Sequence, residues 1–185
     1  MEKYREISRK INAIYLDYTD LVEAFSVDES YLDVTGSLHL FGCDARTLAD
    51  TLRERVRREV GITISVGVSF CKVFAKLGSD YRKPDATTVF DRQAVREVAY
   101  ALPVSSLLYV GKKTAEQLSW MGISTIGELA AADPALLQRT LGEQGRVISC
   151  YARGMDEEPV RSYYEKRDTK SIGNGTTFRR DLMTA

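Results

Sequence analysis

The stretch FSVDESYLDV, residues 25–34, places two neighbouring carboxylates, Asp28 and Glu29, among strand-forming residues. Residues 22–26 and 29–35 each have the composition of a short strand, and almost no sequence separates them. A tight hairpin with Val27 and Asp28 at its tip is the natural connection between two such runs. Successive side chains of a strand point to opposite faces, whereas the adjacent acids of a hairpin tip can converge.

Two carboxylates that converge repel each other, and the repulsion raises their affinity for a cation. Mg²⁺ prefers oxygen ligands and takes only a few of them from protein. Asp33 adds a third acid one strand step further, and apolar residues such as Phe25 and Tyr31 flank the pair. These residues alone leave two interpretations open, an exposed Asp-Glu turn and a metal site.

The elements up to residue 90 follow the order α-β-β-α-β-α-β. The clearest helix begins at Asp44, a typical N-cap residue, and ends at Gly61. ITISVGVSF, residues 62–70, and ATTVF, residues 86–90, are typical of strands. This order predicts an antiparallel sheet with helices on one face, a ferredoxin-like split βαβ layout without its first strand.

The second half of the chain predicts a small all-α unit, because its short helical segments are separated by Gly or Pro. We therefore predict an α+β chain in which residues 1–90 form the sheet domain and residues 91–160 the helical domain. Residues 161–168 are expected to be a basic linker, and residues 169–185 the start of a further domain. The linker is called basic because residues 161–180 contain six Lys or Arg and two acids.

The composition bounds the functions that are open to the chain. Lys+Arg and Asp+Glu number 26 each, and a net charge of zero neither demands nor excludes a polyanionic partner. Three widely spaced cysteines indicate reduced thiols, and the single histidine, His39, excludes most His-based metal sites and triads. We expect no membrane partner and a cytoplasmic location, since no apolar run reaches the about 18–20 residues that span a bilayer and the N-terminus is too charged for a signal peptide.

A cluster of cations follows the third predicted strand, in the segment KVFAKLGSDYRKPD. It contains Lys72, Lys76, Arg82 and Lys83. If that strand lies beside the acidic hairpin, these cations face a phosphate bound to the metal. A solvated helix face explains the same residues without any function.

A helix–glycine–helix pattern occupies LLYVGKKTAEQLSWMGISTIGEL. Gly111 separates the two helical segments, and Lys112 and Lys113 open the second. A glycine turn that leads into a helix exposes backbone N–H groups and the positive end of the helix dipole, which together can bind a phosphate. Such a hairpin grips a nucleic-acid backbone without reading bases. Simple helix packing is the alternative interpretation.

Four motifs in one order resemble the Y-family, or translesion, DNA polymerases. They are SVDESYLDVTGS, GITISVGVSFCKVFAKLGSDYRKPD, VGKKTAEQLSWMGISTIGEL and TKSIGNGTTF, and the resemblance covers essentially the whole chain. It implies a partial palm, a helical thumb with a helix-hairpin-helix-like motif, and the start of a little finger. It also implies that the palm strand with a further catalytic aspartate and the fingers lie outside this chain, so that the 185 residues alone would not polymerise DNA.

The resemblance assigns roles to single palm residues. Asp28 and Glu29 match the family's metal-binding carboxylates, which with the further aspartate would hold two Mg²⁺ ions in a two-metal arrangement. Lys83 matches the lysine that contacts the phosphates of the incoming nucleotide. Lys72 and Lys76 match a family pattern in which Cys71 replaces the usual asparagine.

The resemblance also implies DNA contacts in the second half of the chain. Gly111, Lys112 and Thr114 match the thumb hairpin, in which Tyr109 replaces a family glycine. Lys170 and the adjacent Ser171 match a little-finger strand that contacts the template backbone.

The function implied is low-fidelity, template-directed addition of dNTPs to a primer 3′ end, in translesion synthesis and DNA repair. Primer-template DNA and dNTPs are the expected partners, and a sliding clamp could bind through regions outside this chain. Two alternatives stay open. A nucleotide cyclase of palm-like architecture also holds Mg²⁺ at an acidic hairpin, although the thumb-like helices and basic linker argue against it. A non-catalytic DNA-binding or assembly module is the other.

Overall fold

A computed structural model of the chain describes residues 1–165 and, beyond them, residues 171, 173, 175, 178 and 180. The elements before residue 91 are α1 (Glu2–Leu16), β1 (Val22–Ala24), β2 (Ser30–Leu32), α2 (Ala45–Val60), β3 (Val66–Ser69), α3 (Lys72–Tyr81) and β4 (Thr87–Phe90). The elements after it are α4 (Arg92–Glu97), α5 (Lys112–Trp120), α6 (Ile126–Ala131), α7 (Pro134–Leu141) and α8 (Glu143–Ala152). Short 3₁₀ turns cover Leu38–Phe41, Ala99–Ala101 and Val104–Ser106.

The strands of the described residues form two small sheets. β1 and β2 pair antiparallel with Glu23 opposite Tyr31, whereas β3 and β4 pair parallel with Val66 opposite Thr87. The α+β class predicted from the sequence is confirmed, but the pairing is more divided than the single antiparallel sheet that was expected. β4 runs parallel to β3 because α3 connects them as a helical crossover, which returns the chain to the end at which β3 began.

α2 shows how the sequence sets the bounds of a helix. The Asp44 carboxylate accepts a hydrogen bond from the Thr47 backbone N–H at 2.7 Å, and Gly61 ends the helix in the left-handed region at φ +80°. Between these caps, Leu48 and Val56 lie on a buried face that packs against Ile14 of α1. Both ends match the sequence prediction.

A second buried cluster runs from α3 and β4 into the helices that follow. It contains Phe74, Leu77, Phe90, Leu118, Ile126, Leu129, Leu137 and Ile148, all at most 4% exposed. The burial of these apolar side chains fixes α3 against the helical half of the chain. The predicted domain limits, including the one near residue 90, stay predictions.

No helix within the described part of the chain is both long and apolar enough to cross a bilayer.

Candidate active site and nucleic-acid interface

The acidic hairpin predicted from the sequence is present, with a wider tip and shorter strands. The backbone N–H groups of Phe25 and Ser26 both donate to the carbonyl of Glu29, at 2.9 and 3.1 Å, and close a loop between β1 and β2. Asp28 is exposed in this loop, where the Ser26 hydroxyl donates to its Oδ1 at 2.6 Å. The loop therefore presents one carboxylate of the pair to solvent.

The second carboxylate of the pair, Glu29, is half-buried and contacts a lysine. Its Oε1 lies 2.9 Å from Nζ of Lys76, whose side chain on α3 is 17% exposed. Asp28 and Glu29 thus have different partners, a neutral hydroxyl and a cation. α3 therefore sets positive charge beside the hairpin, and Lys76 is the cation in contact with Glu29.

Lys76 also begins a chain of alternating charges that ends at the predicted phosphate-binding lysine. One carboxylate oxygen of Asp80 pairs with Lys76 and the other with Lys83. Burial would raise the pKa of Asp80, but hydrogen bonds from the two ammonium groups outweigh it and lower that pKa. Glu29, Lys76, Asp80 and Lys83 therefore form one connected network.

A largely buried ion pair fixes the hairpin to α3 at a second point. Nζ of Lys72 lies 2.7 Å from Oε2 of Glu23, and the two side chains are 11% and 13% exposed. The same oxygen accepts a hydrogen bond from the backbone N–H of Arg161 at 3.2 Å. Glu23 therefore joins β1, α3 and the segment that follows the last helix.

Tyr31, which is opposite Glu23 in the β1–β2 pairing, lies next to this ion pair. Its ring centroid is 5.7 Å from Nζ of Lys72, and its buried hydroxyl has no hydrogen-bond partner among the described residues. Burial raises the pKa of Tyr31, and the negative charges of Asp156 and Glu29 raise it further. The phenol is thus kept neutral beside the metal-binding candidate.

The donor chemistry of the acidic pair fits a hard divalent cation in part. Carboxylate oxygens are the ligands that Mg²⁺ prefers, and the Lys76 ammonium shows that a positive charge is accommodated at Glu29. No group of three or more His, Cys, Asp or Glu residues in the described part of the chain is arranged to hold a metal ion. Asp28 and Glu29 therefore fit as two ligands of a site that needs others.

The turn before α5 is held by one glutamine. Tyr109 has φ +66°, a left-handed conformation that is uncommon outside glycine, and its ring stacks on Tyr151 at 5.8 Å. Nε2 of Gln144 donates to the Tyr109 carbonyl at 2.9 Å and to Oγ1 of Thr114 at 3.0 Å. Thr114 is only 7% exposed, so its hydroxyl is engaged inside the turn.

The other predicted DNA contacts are accessible where the structure describes them. Gly111 is the exposed N-cap of α5 and has no side-chain cap, and the exposed Lys112 follows it. Ser171 is exposed, whereas Lys170 lies outside the described residues. The described thumb residues thus leave a basic helix N-terminus open to solvent.

Comparisons with known proteins point to one family. The impB/mucB/samB family model matches residues 1–80. DNA polymerase IV of Acetivibrio thermocellus is 47% identical over 179 residues, which are 97% of this chain and 45% of that protein. The chain spans about half the length of the curated relatives it matches.

Solved structures agree with this relationship. A Y-family DNA polymerase chimera superimposes with a TM-score of 0.77 at 25% identity, over 89% of this chain and 48% of that one. The chain belongs to the Y-family of DNA polymerases. A second Y-family structure, an insertion ternary complex of Dbh DNA polymerase, has a TM-score of 0.75 at 25% identity over 86% of this chain and 46% of its own.

Three site residues of this Y-family chain were not predicted by sequence reasoning as such, namely Asp80, Glu23 and Tyr31. The position of Asp80 could have been recognised in the sequence, because it lies four residues after Lys76 and three before Lys83. Both spacings bring side chains together on a helix. No local sequence pattern indicates the role of Glu23, since its partners come from α3 and from residue 161, far away in sequence.

Proposed function

We propose that this chain supplies palm carboxylates and the thumb of a low-fidelity, template-directed DNA polymerase that adds dNTPs to a primer 3′ end. The observation that supports this most directly is the connected network from Glu29 to Lys83 beside the exposed Asp28. It sets candidate ligands for a divalent cation and a candidate phosphate ligand in one place. The relatives named DNA polymerase IV support the same chemistry.

Asp28 and Glu29 are proposed to hold Mg²⁺, together with ligands from outside the described residues. When bound, Mg²⁺ lowers the pKa of the primer hydroxyl and neutralises phosphate charge, and two ions are expected in the complete site. Asp28 meets this role without losing a partner cation, because only the Ser26 hydroxyl contacts it in the described structure. Lys83, 54% exposed, is free to leave Asp80 for the phosphates of a nucleotide.

The thumb is proposed to bind the DNA backbone at the N-terminus of α5. The exposed N–H groups that follow Gly111 and the charge of Lys112 suit a phosphate. Thr114 is proposed to act indirectly, since its buried hydroxyl accepts a hydrogen bond from Gln144 and so fixes the turn. Lys170 and Ser171 are proposed to contact the template backbone.

The wider setting follows from the same proposal. Translesion synthesis in DNA repair, a cytoplasmic location and a sliding-clamp partner are proposed with the polymerase activity. The matched relatives are named as polymerases, and this supports primer-template DNA and dNTPs as the ligands.

Primer extension by the full-length gene product tests the proposal. We expect Mg²⁺-dependent extension that Asp28→Asn lowers by roughly a hundredfold or more, because a metal ligand is lost. Glu116→Gln removes an exposed carboxylate on α5 and is the matched control, with activity expected to stay at the wild-type level. Extension that survives Asp28→Asn, or that needs no divalent cation, would show the assignment to be wrong.

A further inference from the structure

Lys76 occupies an unusual position among the cations of the candidate site. Its ammonium touches Glu29, a proposed metal ligand, at 2.9 Å, and it also pairs with Asp80. The side chain is largely shielded from solvent at 17% exposure, whereas Asp80 is 43% exposed. One cation is therefore shared between a carboxylate of the site and a carboxylate outside it.

We propose that Lys76 is the internal counter-ion of Glu29, which a divalent cation displaces, and that Asp80 retains the displaced ammonium. Lys76 and Asp80 would then be positioning residues that set the affinity of the acidic pair for its metal. The inference rests on the proposed function, because it presupposes that Glu29 binds a divalent cation.

The geometry makes the two cations competitors. An ammonium hydrogen-bonded to Oε1 of Glu29 occupies space that a metal at the same oxygen needs, and two like charges within a few ångströms repel. Two carboxylates, those of Glu29 and Asp80, lie within hydrogen-bond distance of the Lys76 ammonium. A metal at Glu29 therefore requires the Lys76 ammonium to move away from that carboxylate.

Asp80 makes that movement inexpensive. A half-buried ammonium that lost its only carboxylate would be left with an uncompensated charge. Lys76 instead keeps Asp80, whose second oxygen is held by Lys83. Removal of Asp80 would leave Glu29 as the sole carboxylate paired with Lys76, and the competition with a metal would become stronger.

The direction in which each substitution changes the metal affinity distinguishes a competing counter-ion from a purely structural ion pair. If Lys76 competes with the metal, loss of Lys76 tightens metal binding and loss of Asp80 weakens it. If Asp80 instead acted by its own charge on the metal, its loss would weaken binding whether or not Lys76 were present. A double-mutant cycle separates these two cases.

Mn²⁺ is the probe, since it shares the preference of Mg²⁺ for oxygen ligands and its free concentration can be read by electron paramagnetic resonance. Binding is titrated for the full-length gene product and for its Lys76→Met, Asp80→Asn, double-mutant and Glu29→Gln variants. Lys113→Met removes one exposed charge at the start of α5 and is the control for net charge. Circular dichroism verifies that each variant is folded.

We expect Lys76→Met to tighten Mn²⁺ binding by about three- to tenfold and Asp80→Asn to weaken it by a similar factor. In the Lys76→Met background, Asp80→Asn should have little further effect, and Lys113→Met should match the wild type. Unchanged or weaker binding in Lys76→Met overturns the inference. If Lys76→Met does not fold, Asp80→Asn decides, and unchanged or tighter binding in that variant overturns it.

The Glu29→Gln variant separates this inference from the function on which it rests. If Glu29→Gln abolishes Mn²⁺ binding while Lys76→Met and Asp80→Asn leave it unchanged, only the counter-ion role is wrong. Glu29 then remains a metal ligand. Mn²⁺ binding that Glu29→Gln does not affect removes both, since Glu29 would then not be a metal ligand.

Discussion

Tyr109 has a backbone conformation that ordinary side chains rarely adopt, and the residues around it explain why it persists. A left-handed non-glycine residue costs of order 1 kcal/mol or more and needs compensation from its surroundings. Here the Tyr109 ring stacks on Tyr151, and its carbonyl accepts from Gln144. The turn before α5 is therefore fixed by three side chains.

Gln144→Ala tests this account of the turn. The substitution leaves the Tyr109 carbonyl and the buried Thr114 hydroxyl without their shared donor, so we expect a loss of about 1–3 kcal/mol in the free energy of unfolding. Urea denaturation followed by circular dichroism measures it. Gln138→Ala, at another glutamine of the same helical half, is the comparison. A loss below about 0.5 kcal/mol in Gln144→Ala would show that the turn does not depend on this amide.

Tyr15, at the end of α1, predicts how stability changes at alkaline pH. Burial raises its pKa to about 12, from 10.0 in the absence of burial. Between these values the unfolded chain loses the phenolic proton while the folded chain keeps it, so stability is full below pH 10 and falls as the pH rises towards 12. We expect Tyr15→Phe to remove up to roughly 3 kcal/mol of this fall.

Urea unfolding at a series of pH values from 8 to about 12 measures the effect of Tyr15→Phe. Tyr4→Phe changes a ring that is 67% exposed and is the control, for which the pH profile should follow the wild type. If the profile of Tyr15→Phe also follows the wild type, the phenol of Tyr15 does not link folding to pH.

At the scale of secondary structure, β3 and α3 approach each other so closely that only glycine fits between them. A Cβ on Gly67 would lie 1.8 Å from the carbonyl oxygen of Ala75 and 2.5 Å from the backbone nitrogen of Ser79. No side-chain rotamer can relieve a contact with backbone atoms. This close approach fixes the helix that bears Lys76 against the sheet.

Gly67→Ala should therefore cost about 2–4 kcal/mol in the free energy of unfolding, since β3 or α3 must shift. Gly36→Ala is the matched control, because a Cβ there has nothing within 4 Å, and its effect should be within about 0.5 kcal/mol. Thermal and urea denaturation of both variants provide the measurement. Equal stability of the two alanine variants would contradict the close packing of β3 on α3.

The elements that sequence predicted well are those whose ends are encoded locally. The limits of α2 follow from Asp44 and Gly61, which act within one turn of the helix. Strand pairing depends instead on distant partners, and neither β3 nor β4 contains a signal for which neighbour it pairs with. The same holds in the site, where the adjacent Asp28 and Glu29 were visible in the sequence but the contact of Glu29 with Lys76 was not.

At the scale of the whole molecule, a net charge of zero conceals an uneven distribution. The acidic hairpin faces lysines of α3, whereas the N-terminus of α5 is basic and exposed. A protein that meets DNA chiefly through phosphates binds without sequence preference, and its affinity falls steeply with salt, because each contact releases counter-ions. We therefore expect the chain to bind duplex DNA weakly and more weakly as salt rises.

Lys112→Ala is the variant that assigns this binding to the thumb. Loss of one phosphate contact should weaken binding about equally for unrelated sequences and lower the slope of log K against log salt by about 1. Fluorescence anisotropy with two unrelated duplexes, between about 50 and 200 mM salt, measures both effects. Lys10→Ala changes a lysine of α1 that pairs with Glu6, and its slope should equal that of the wild type. Tight binding to one duplex only, or a slope that Lys112→Ala leaves unchanged, would place the DNA-binding surface elsewhere on the molecule.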